Sequence, residues 1–217
     1  MNDYILELDW STDFSVHLDF FKKWSIEQQG WHDHYNDYGS WVIIRPLVLE
    51  GLEHFKNLNS KFKENGFIIH DGVFRSIPPK RVVAVHTDSV MSPEGTNDLC
   101  TLSLNIPLEN QQSATTRWYD FSNCNYFKNH ETREGVKDSD SIFSNVIANR
   151  MFALLLSCQV FSFKMSKPVA INTGIPHNVD TTLANHQRSI VSLHLKDLNT
   201  NKILSWDERH RLLNITF

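Results

Sequence analysis

The apolar side chains of this sequence change from helical spacing to short strand-like runs at about Gly66. Residues 11–28 and 51–65 carry apolar side chains at helical spacing, and Gly66 ends the second pattern. Runs typical of strands follow at 67–70, 81–86, 99–108, 116–121, 160–165, 168–173 and 189–195. Because these runs do not alternate with helical patterns, the sequence predicts antiparallel sheets with the helices laid against one face.

We expect the 217 residues to form a single domain, because the sequence contains no internal repeat, low-complexity tract or linker. Residues 1–66 would provide a helical N-terminal support, and residues 67–217 would form the sheet core. The polar segment 122–140 has neither helical nor strand periodicity and is predicted to be a loop or lid inserted in that core. Residues 141–158 fit a helix, although their end fits the start of a strand equally well.

Charge and cysteine content exclude several classes of protein. Twenty-one Lys and Arg residues against 25 Asp and Glu residues give a net charge of −4, which argues against a nucleic acid held by phosphate contacts and favours a small-molecule or amino-acid-type substrate. Cys100, Cys124 and Cys158 form no paired motif, so neither a disulfide framework nor a thiolate zinc site is predicted. An acidic start without a long apolar stretch predicts neither secretion nor membrane insertion, and we expect a cytoplasmic protein.

The run 99–108 alternates between apolar and polar side chains. If it is a strand, one face carries the apolar set Cys100, Leu102, Leu104 and Ile106, and the other carries the polar set Thr101, Ser103 and Asn105. In an open antiparallel sheet the polar face would meet water. In a closed or two-sheet barrel it would instead line a polar cavity.

Four residues have the types and the order of a metal and carboxylate site. His86 and Asp88 follow an apolar run two positions apart, so both project from the same face of a strand. His177 follows a later strand and a turn marked by Gly and Pro, and Arg188 opens the next strand. Two histidines and one carboxylate can bind iron(II) on one face and leave other positions open. An arginine can hold a carboxylate through two parallel hydrogen bonds.

This order of residues resembles the iron(II)/2-oxoglutarate-dependent dioxygenase superfamily over residues 81–195, about half of the chain. Members carry a His-x-Asp motif on an early barrel strand, a distal His and an Arg about ten residues beyond it, which here match His86, Asp88, His177 and Arg188. The resemblance implies a mainly β protein: a cupin-like double-stranded β-helix, or jelly roll, with the N-terminal helices packed on one sheet.

The resemblance also implies cofactors and their ligands. Fe(II) would be held by His86, Asp88 and His177, and the far carboxylate of the cosubstrate 2-oxoglutarate by Arg188. With O2, such an enzyme would hydroxylate a small molecule or an amino-acid side chain and release succinate and CO2. Residues 104–108 are similar to the strand after the first metal motif in prolyl and aspartyl/asparaginyl hydroxylase-like members of phage or marine type, so Asn105 and Ser103 would face the cosubstrate.

The sequence departs from this family at one position of the cosubstrate motif. Many members carry Arg-x-Ser, whereas Ile190 stands in the serine position here and Ser192 lies one step further along the same face. Two alternatives therefore remain open. One is a jelly-roll module that binds a metal or small molecule without turnover, and the other is a cupin-type hydrolase or isomerase that uses the same metal ligands without Arg188.

Other polar residues receive less specific predictions. The segment 32–34, His-Asp-His, lies in a polar loop and is expected to contact substrate rather than a metal. The pair at 70–71, His-Asp, is expected in a turn, because adjacent side chains point to opposite faces of a strand. His194 is expected to be a hydrogen-bonded structural residue. Either Trp118 or Tyr119 could lie beside the pocket, and core packing is the favoured role for the ring that faces inward.

Overall fold

The computed structural model describes residues 2–28, 40–83, 85, 87–91, 97–109, 113–120 and 158–217. Its helices are a 3-10 turn at Phe14–His17, α1 at Leu18–Gln28, α2 at Pro46–Glu50, α3 at Glu53–Glu64 and a C-terminal 3-10 helix at Trp206–Asn214. Its strands are β1 at Ile5–Glu7, β2 at Ser40–Ile44, β3 at Phe67–Ile77, β4 at Ser89–Met91, β5 at Asn97–Leu99, β6 at Leu102–Glu109, β7 at Thr115–Tyr119, β8 at Gln159–Phe163, β9 at Val169–Asn172, β10 at His177–Asp180 and β11 at Arg188–Asp197.

Two antiparallel sheets form the body of the fold. The larger sheet has the strand order β1-β9-β6-β11-β3-β2 and the smaller one the order β10-β7-β8, while β4 and β5 pair separately. From β6 onward the chain winds between the sheets, since β6, β9 and β11 belong to the larger one and β7, β8 and β10 to the smaller one. This winding is the double-stranded β-helix, so the predicted fold class is confirmed.

The helices cover the outer face of the larger sheet, as the sequence predicts. Phe21 of α1 and Phe55 of α3 are fully buried there, and the Phe21 ring stacks on Phe74 of β3 with centroids 5.5 Å apart. Leu104 of β6 and Leu193 of β11 are cross-strand partners that belong to the same cluster. Burial of each such side chain contributes about 1.5–3 kcal/mol, which holds the helical layer on the sheet.

The inner face of the larger sheet is buried and carries polar side chains beside the apolar Ile171 and Ile190. Ser103 and Asn105 of β6 and Arg188, Ser192 and His194 of β11 are all at most 4% exposed. They alternate along their strands with the side chains that face the helices. Ser103 and Asn105 of the polar face of the run 99–108 therefore lie in the interior between the two sheets.

Two local predictions are wrong. The 70–71 pair does not form a turn, because β3 continues through it to Ile77. Asp71 is the cross-strand partner of His194, and a register shift beside His194 accommodates the extra residue His70. In its described residues the predicted strand 81–86 forms only an isolated bridge between Val82 and Asp180. Two backbone bonds join this segment to the end of β10 and the residue after it, from the Thr181 N–H to the Arg81 carbonyl and from the Val83 N–H to the Val179 carbonyl, and the Thr181 hydroxyl accepts the Arg81 N–H.

Several short elements were not predicted, and several predictions lie outside the described residues. β1, β2, β4, β5 and β10 carry too few alternating apolar positions to be recognised. His86, the 32–34 segment, the predicted lid at 122–140 and most of residues 141–158 fall outside the described ranges. Within those ranges, no helix is both long and apolar enough to span a bilayer.

Candidate functional site

A small cleft lies between the two sheets, at the end of the barrel where β10 begins. The enclosed space is about 30 Å³, room for about two water molecules. Both sheets and the segment before β4 contribute to the lining, which consists of Arg75, Ile77, Val83, Asp88, Asn105, Thr116, Ile171, His177, Val179, Arg188, Ile190 and Ser192.

The cleft brings together most of the site residues that the sequence predicts. Asp88, His177, Arg188 and Asn105 all line it, although they come from four separate parts of the chain. Ser103 does not line the cleft and lies behind Asn105. His86 is outside the described residues.

His177 is fixed at the start of β10 by the turn that precedes it. The side chain is buried, and its Nδ1 donates a hydrogen bond to the Ile175 carbonyl at 3.0 Å. With the proton on Nδ1, the lone pair of the neutral ring is on Nε2, the nitrogen suited to a metal. His177 is the cross-strand partner of Trp118 of β7, and their ring centroids lie 6.3 Å apart, so the imidazole packs against the buried indole ring.

Asp88 is held by backbone bonds on both sides. Its N–H donates to the Thr173 carbonyl at 3.1 Å, and its carbonyl accepts from the Cys100 N–H at 3.1 Å. These bonds attach Asp88 to the segment that leads into His177, so the two side chains reach the cleft together. The carboxylate is 8% exposed, and its Oδ1 accepts a bond from Arg75 Nη2 at 3.3 Å.

Arg188 places a cation in a buried position at the start of β11. The residue is 2% exposed, and burial together with the nearby charge of Arg75 lowers its pKa to about 9. The guanidinium is still protonated at neutral pH, but its charge is poorly solvated. A bound carboxylate would replace the lost water with charge-assisted hydrogen bonds.

Asn105 and Ser192 are cross-strand partners, and both add polar groups to the cleft near Arg188. The Ser103 hydroxyl donates to Asn105 Oδ1 at 3.3 Å, which leaves the amide N–H groups of Asn105 as donors. Ser103 therefore positions the amide and does not itself line the cleft.

Arg75 and Thr116 also line the cleft and were missed by the sequence analysis. Arg75 is the one basic residue in the buried stretch 73–77 of β3. A lone arginine inside an apolar strand is a usable signal, because a charge there needs a partner. It was overlooked because the predicted strand ended at residue 70.

The donors present in the cleft fit a transition metal such as iron(II). A carboxylate and a neutral imidazole are the oxygen and nitrogen donors of a two-histidine, one-carboxylate site, and the Nδ1 bond of His177 is the outer contact that orients such a ligand. Asp88 and His177 are two of the three predicted ligands. Among the described residues no group of three His, Cys, Asp or Glu side chains could hold a metal, so a third ligand would have to come from elsewhere, and the sequence assigns His86.

Trp118, Tyr119 and His194 each form a hydrogen bond within the protein that fits a structural role. The indole N–H of Trp118 donates to the Asn172 carbonyl at 2.8 Å, and its ring is fully buried, so core packing is confirmed. The Tyr119 hydroxyl donates to Asn178 at 3.0 Å. His194 Nδ1 and Asp71 are 2.5 Å apart, which confirms a hydrogen-bonded histidine.

Neither a family model nor a curated protein matches this chain. Similar solved structures include HygX from Streptomyces hygroscopicus with nickel and 2-oxoglutarate bound, 9% identical over 88% of this chain and 80% of its own, TM-score 0.44. EctD from S. alaskensis with bound Fe is 13% identical over 94% and 75%, TM-score 0.49. The viral collagen prolyl hydroxylase vCPH from Paramecium Bursaria Chlorella virus-1, in a 2OG complex, is 10% identical over 88% and 94%, TM-score 0.44. At these identities no residue here takes its role from a residue of theirs.

Proposed function

We propose that this protein is an iron(II)- and 2-oxoglutarate-dependent oxygenase. The observation that supports this most strongly is that Asp88, His177 and Arg188 line one buried cleft, although they come from separate parts of the chain. A carboxylate and an imidazole suit the metal, and a guanidinium suits a dicarboxylate cosubstrate. His86, two positions before Asp88, would be the third metal ligand.

In this proposal the chain holds the metal through preorganised side chains. The backbone bonds of Asp88 to Thr173 and Cys100 fix the carboxylate, and the Nδ1 bond of His177 fixes the imidazole so that Nε2 would be the metal-binding atom. When bound, iron(II) supplies the redox chemistry by which O2 and 2-oxoglutarate are converted to CO2 and succinate while a substrate is oxidised.

Arg188 would bind the carboxylate of 2-oxoglutarate that is far from the metal. The Asn105 amide and the Ser192 hydroxyl lie on neighbouring strands of the same face and would add hydrogen bonds to the cosubstrate. Ser103 would keep the Asn105 amide in its donating orientation through the 3.3 Å bond. This arrangement assigns Ser103 an indirect part in cosubstrate binding.

The apolar lining of the cleft would limit access of water to the reacting groups. Ile171 and Ile190 come from the larger sheet, and Val83 and Val179 lie along the smaller one. Removing water strengthens each electrostatic contact inside the cleft and protects reactive species from side reactions.

We infer that the reaction is hydroxylation of a small molecule or of an amino-acid side chain by a cytoplasmic protein. The site lies within the barrel and is not spread along a surface groove, so a compact group would have to enter it. The overall charge of −4 also gives no support for binding to a polyanion.

One observation favours a second candidate, a binding module without turnover. Ile190 is 2% exposed and packs with Trp118, Val169 and Ile171, so the position where many oxygenases carry serine is an apolar wall here. A ligand bound there would lack that hydroxyl contact.

Release of succinate from 2-oxoglutarate tests the proposal. Iron-loaded protein should form succinate slowly without substrate and faster when a suitable small molecule or peptide is added. Asp88→Ala should reduce iron-dependent succinate formation to background, because a metal ligand is removed. Asp9→Ala is the matched control, since Asp9 is fully exposed and far along the chain from the site.

Two results would contradict the proposal in different ways. Full iron-dependent turnover by Asp88→Ala would show that the ligand assignment is wrong. Binding of 2-oxoglutarate with no succinate formed, across a broad panel of substrates, would favour the binding module.

A further inference from the structure

The cleft contains a second arginine close to Arg188. Arg75 of β3 lies directly opposite Ile190 of β11, and Arg188 lies opposite Ile77, so the two arginines are diagonal neighbours on the same face of the larger sheet. Residues in this relation are about 7–8 Å apart at the backbone, within reach of long side chains. The charge of Arg75 contributes to the lowered pKa of Arg188, which agrees with their closeness.

The hydrogen bonds of Arg75 are incomplete. Its Nη2 donates to Asp88 Oδ1 at 3.3 Å, which is long for a bond between charged groups. Its Nε is buried and has no hydrogen-bond partner among the residues that the structure describes. A buried N–H without an acceptor costs free energy, so this atom is a candidate for a bond to a ligand. The Arg75 side chain is 27% exposed, so a ligand could approach it from outside.

The charges of the cleft favour an anion. Among the described lining residues, Arg75 and Arg188 are cations and Asp88 is the only carboxylate. Two guanidinium groups in one small cleft repel each other, and the single carboxylate of Asp88, which contacts Arg75, does not offset both charges. Carboxylate and phosphate are the common anionic groups of metabolites that match a guanidinium best. A carboxylate accepts two parallel bonds, one from Nε and one from an Nη.

We propose that Arg75 binds a second carboxylate in the cleft, separate from the carboxylate held by Arg188. This inference rests on the proposed function, since it extends the ligand assignment of the same cleft. The carboxylate could be the other end of a dicarboxylate such as 2-oxoglutarate, or it could belong to an acidic substrate bound beside it. In either case Arg75 supplies, from the neighbouring strand, a donor beside the position where Ile190 replaces serine.

The test measures binding of glutarate and butyrate to metal-free protein by calorimetry, with a chelator present. Glutarate has two carboxylates and no keto group, and butyrate has one carboxylate. We expect the wild type to bind glutarate about 10-fold or more tighter than butyrate, as a charge-assisted bond would require. Arg75→Gln should remove this preference, and Arg75→Lys should keep part of it. Arg45→Gln is the matched control, because Arg45 is exposed at the start of α2 and should behave as wild type.

The number of glutarate molecules bound per chain shows whether the second carboxylate belongs to the same dicarboxylate ligand or to a separate acidic substrate. One glutarate per chain, with its preference lost in Arg75→Gln, would assign both carboxylates to one dicarboxylate ligand. Two glutarates per chain in the wild type and one in Arg75→Gln would assign the second carboxylate to a separate acidic substrate. One glutarate per chain, bound equally by wild type and Arg75→Gln, would overturn the proposal.

A structural role for Arg75 is tested in the Asp88→Asn background. If Arg75 only balances the charge of Asp88, Arg75→Gln should have no effect on glutarate binding once Asp88 is neutral. If Arg75 binds a carboxylate, Arg75→Gln should still weaken glutarate binding by about 10-fold in that background. Because metal and O2 are absent, the result does not depend on turnover, so failure here and failure of the oxygenase proposal can be told apart.

Discussion

At the scale of a single residue, Arg188 combines a proposed role in cosubstrate binding with an energetic cost to folding. Its ordinary pKa of 12.5 falls to about 9, chiefly because the side chain is buried and secondly because Arg75 is near. A base whose pKa is lower in the folded state than in the unfolded state has a charged form that folding disfavours. At neutral pH, where the group is protonated in both states, this charge therefore opposes folding.

We expect Arg188→Met to separate the effect of Arg188 on protein stability from its effect on 2-oxoglutarate binding. Met has a similar length and removes the cost of burying a charge, which offsets the loss of the contacts of the guanidinium, so the free energy of unfolding at pH 7 should stay close to that of the wild type. Binding of 2-oxoglutarate should weaken by about 10- to 100-fold, the loss expected for a charged hydrogen-bonded contact. Chemical denaturation and calorimetric titration measure the two quantities.

Arg45→Met serves as the control for this comparison, since it removes the same group from the surface. A large loss of stability in Arg188→Met with unchanged 2-oxoglutarate affinity would show that Arg188 is a structural residue.

Most of the candidate site could be predicted at the residue scale, because its chemistry is local in sequence. The His-x-Asp motif, the His177 turn and the Arg188 strand each have their own sequence signal, and the structure places Asp88, His177 and Arg188 in one cleft. Arg75 could not be assigned in the same way. Its place opposite Ile190 depends on the pairing of β3 with β11, two segments more than a hundred residues apart in sequence.

At the scale of elements, the turn between β9 and β10 determines where His177 lies. Gly174 packs tightly in this turn: a Cβ there would lie 2.8 Å from Thr101 Cγ2 and 3.4 Å from Asn172 Oδ1. The Asn172 side chain also accepts a bond from the Gly174 N–H at 3.1 Å. A larger side chain would therefore push the turn, and with it the imidazole, away from its position.

Gly174→Ala is expected to weaken metal binding about 10-fold or more with a smaller effect on stability, because the displaced His177 is a predicted ligand. Thr101→Ser should partly restore affinity in the Gly174→Ala protein. Serine removes the methyl group that the new Cβ would meet and keeps the hydroxyl that accepts from the Trp206 N–H at 2.9 Å. Titration with Mn(II), followed by electron paramagnetic resonance, measures both effects, and equal affinity in wild type and Gly174→Ala would contradict this account of the turn.

The C-terminal 3-10 helix is attached to the end of β11 by a carboxylate. Asp197 accepts backbone bonds from Asn199 and Thr200 at 2.8 Å each and forms an ion pair with Arg211 at 2.7 Å. The pKa of Asp197 is lowered to about 2, mainly by the backbone bond from Thr200 and next by the bond from Arg211. An acid whose folded pKa lies below its unfolded value contributes stability above the unfolded pKa, and that contribution is lost as the pH falls through the folded value.

We therefore expect Asp197→Asn to lower the free energy of unfolding at pH 7 by about 2 kcal/mol. The difference from wild type should shrink as the pH falls from about 4 towards 2, where the wild-type carboxyl becomes protonated as well. Urea denaturation at several pH values measures this. A difference that stays constant across the range would show that the charge of Asp197 is not what attaches the helix.

The elements themselves were partly predictable. The runs at 99–108, 116–121, 160–165, 168–173 and 189–195 all overlap strands of the structure, because each alternates or is apolar over several residues. β10 could not be found this way, since three of its four residues are polar. The predicted strand 67–70 ends before β3 does, because no sequence pattern indicates the register shift that accommodates His70.

At the scale of the whole molecule, the larger sheet separates two environments. One face packs against α1 and α3 through apolar side chains, and the other meets the smaller sheet across a buried layer in which polar side chains lie beside the apolar cluster of Trp118, Ile171 and Ile190. The apolar face stabilises the fold, while the polar face carries the candidate site. Stability and chemistry thus depend largely on different side chains of the same strands.

This separation also places the candidate site between the two sheets. His177 belongs to the smaller sheet, Arg188 to the larger one, and Asp88 to the segment that precedes β4. A metal with a chelating dicarboxylate would therefore contact both sheets and the segment before β4 at once. The central claim is that these three residues form one combined site for metal and cosubstrate.

The most direct test is an anaerobic titration of iron(II)-loaded protein with 2-oxoglutarate, followed by visible absorption spectroscopy. We expect a weak charge-transfer band that grows with 2-oxoglutarate, is absent in His177→Ala and needs higher 2-oxoglutarate concentrations in Arg188→Met. His210→Ala, which removes an exposed histidine, should leave the band unchanged. No band in folded wild-type protein that has bound iron, or an unchanged band in His177→Ala, would contradict the claim.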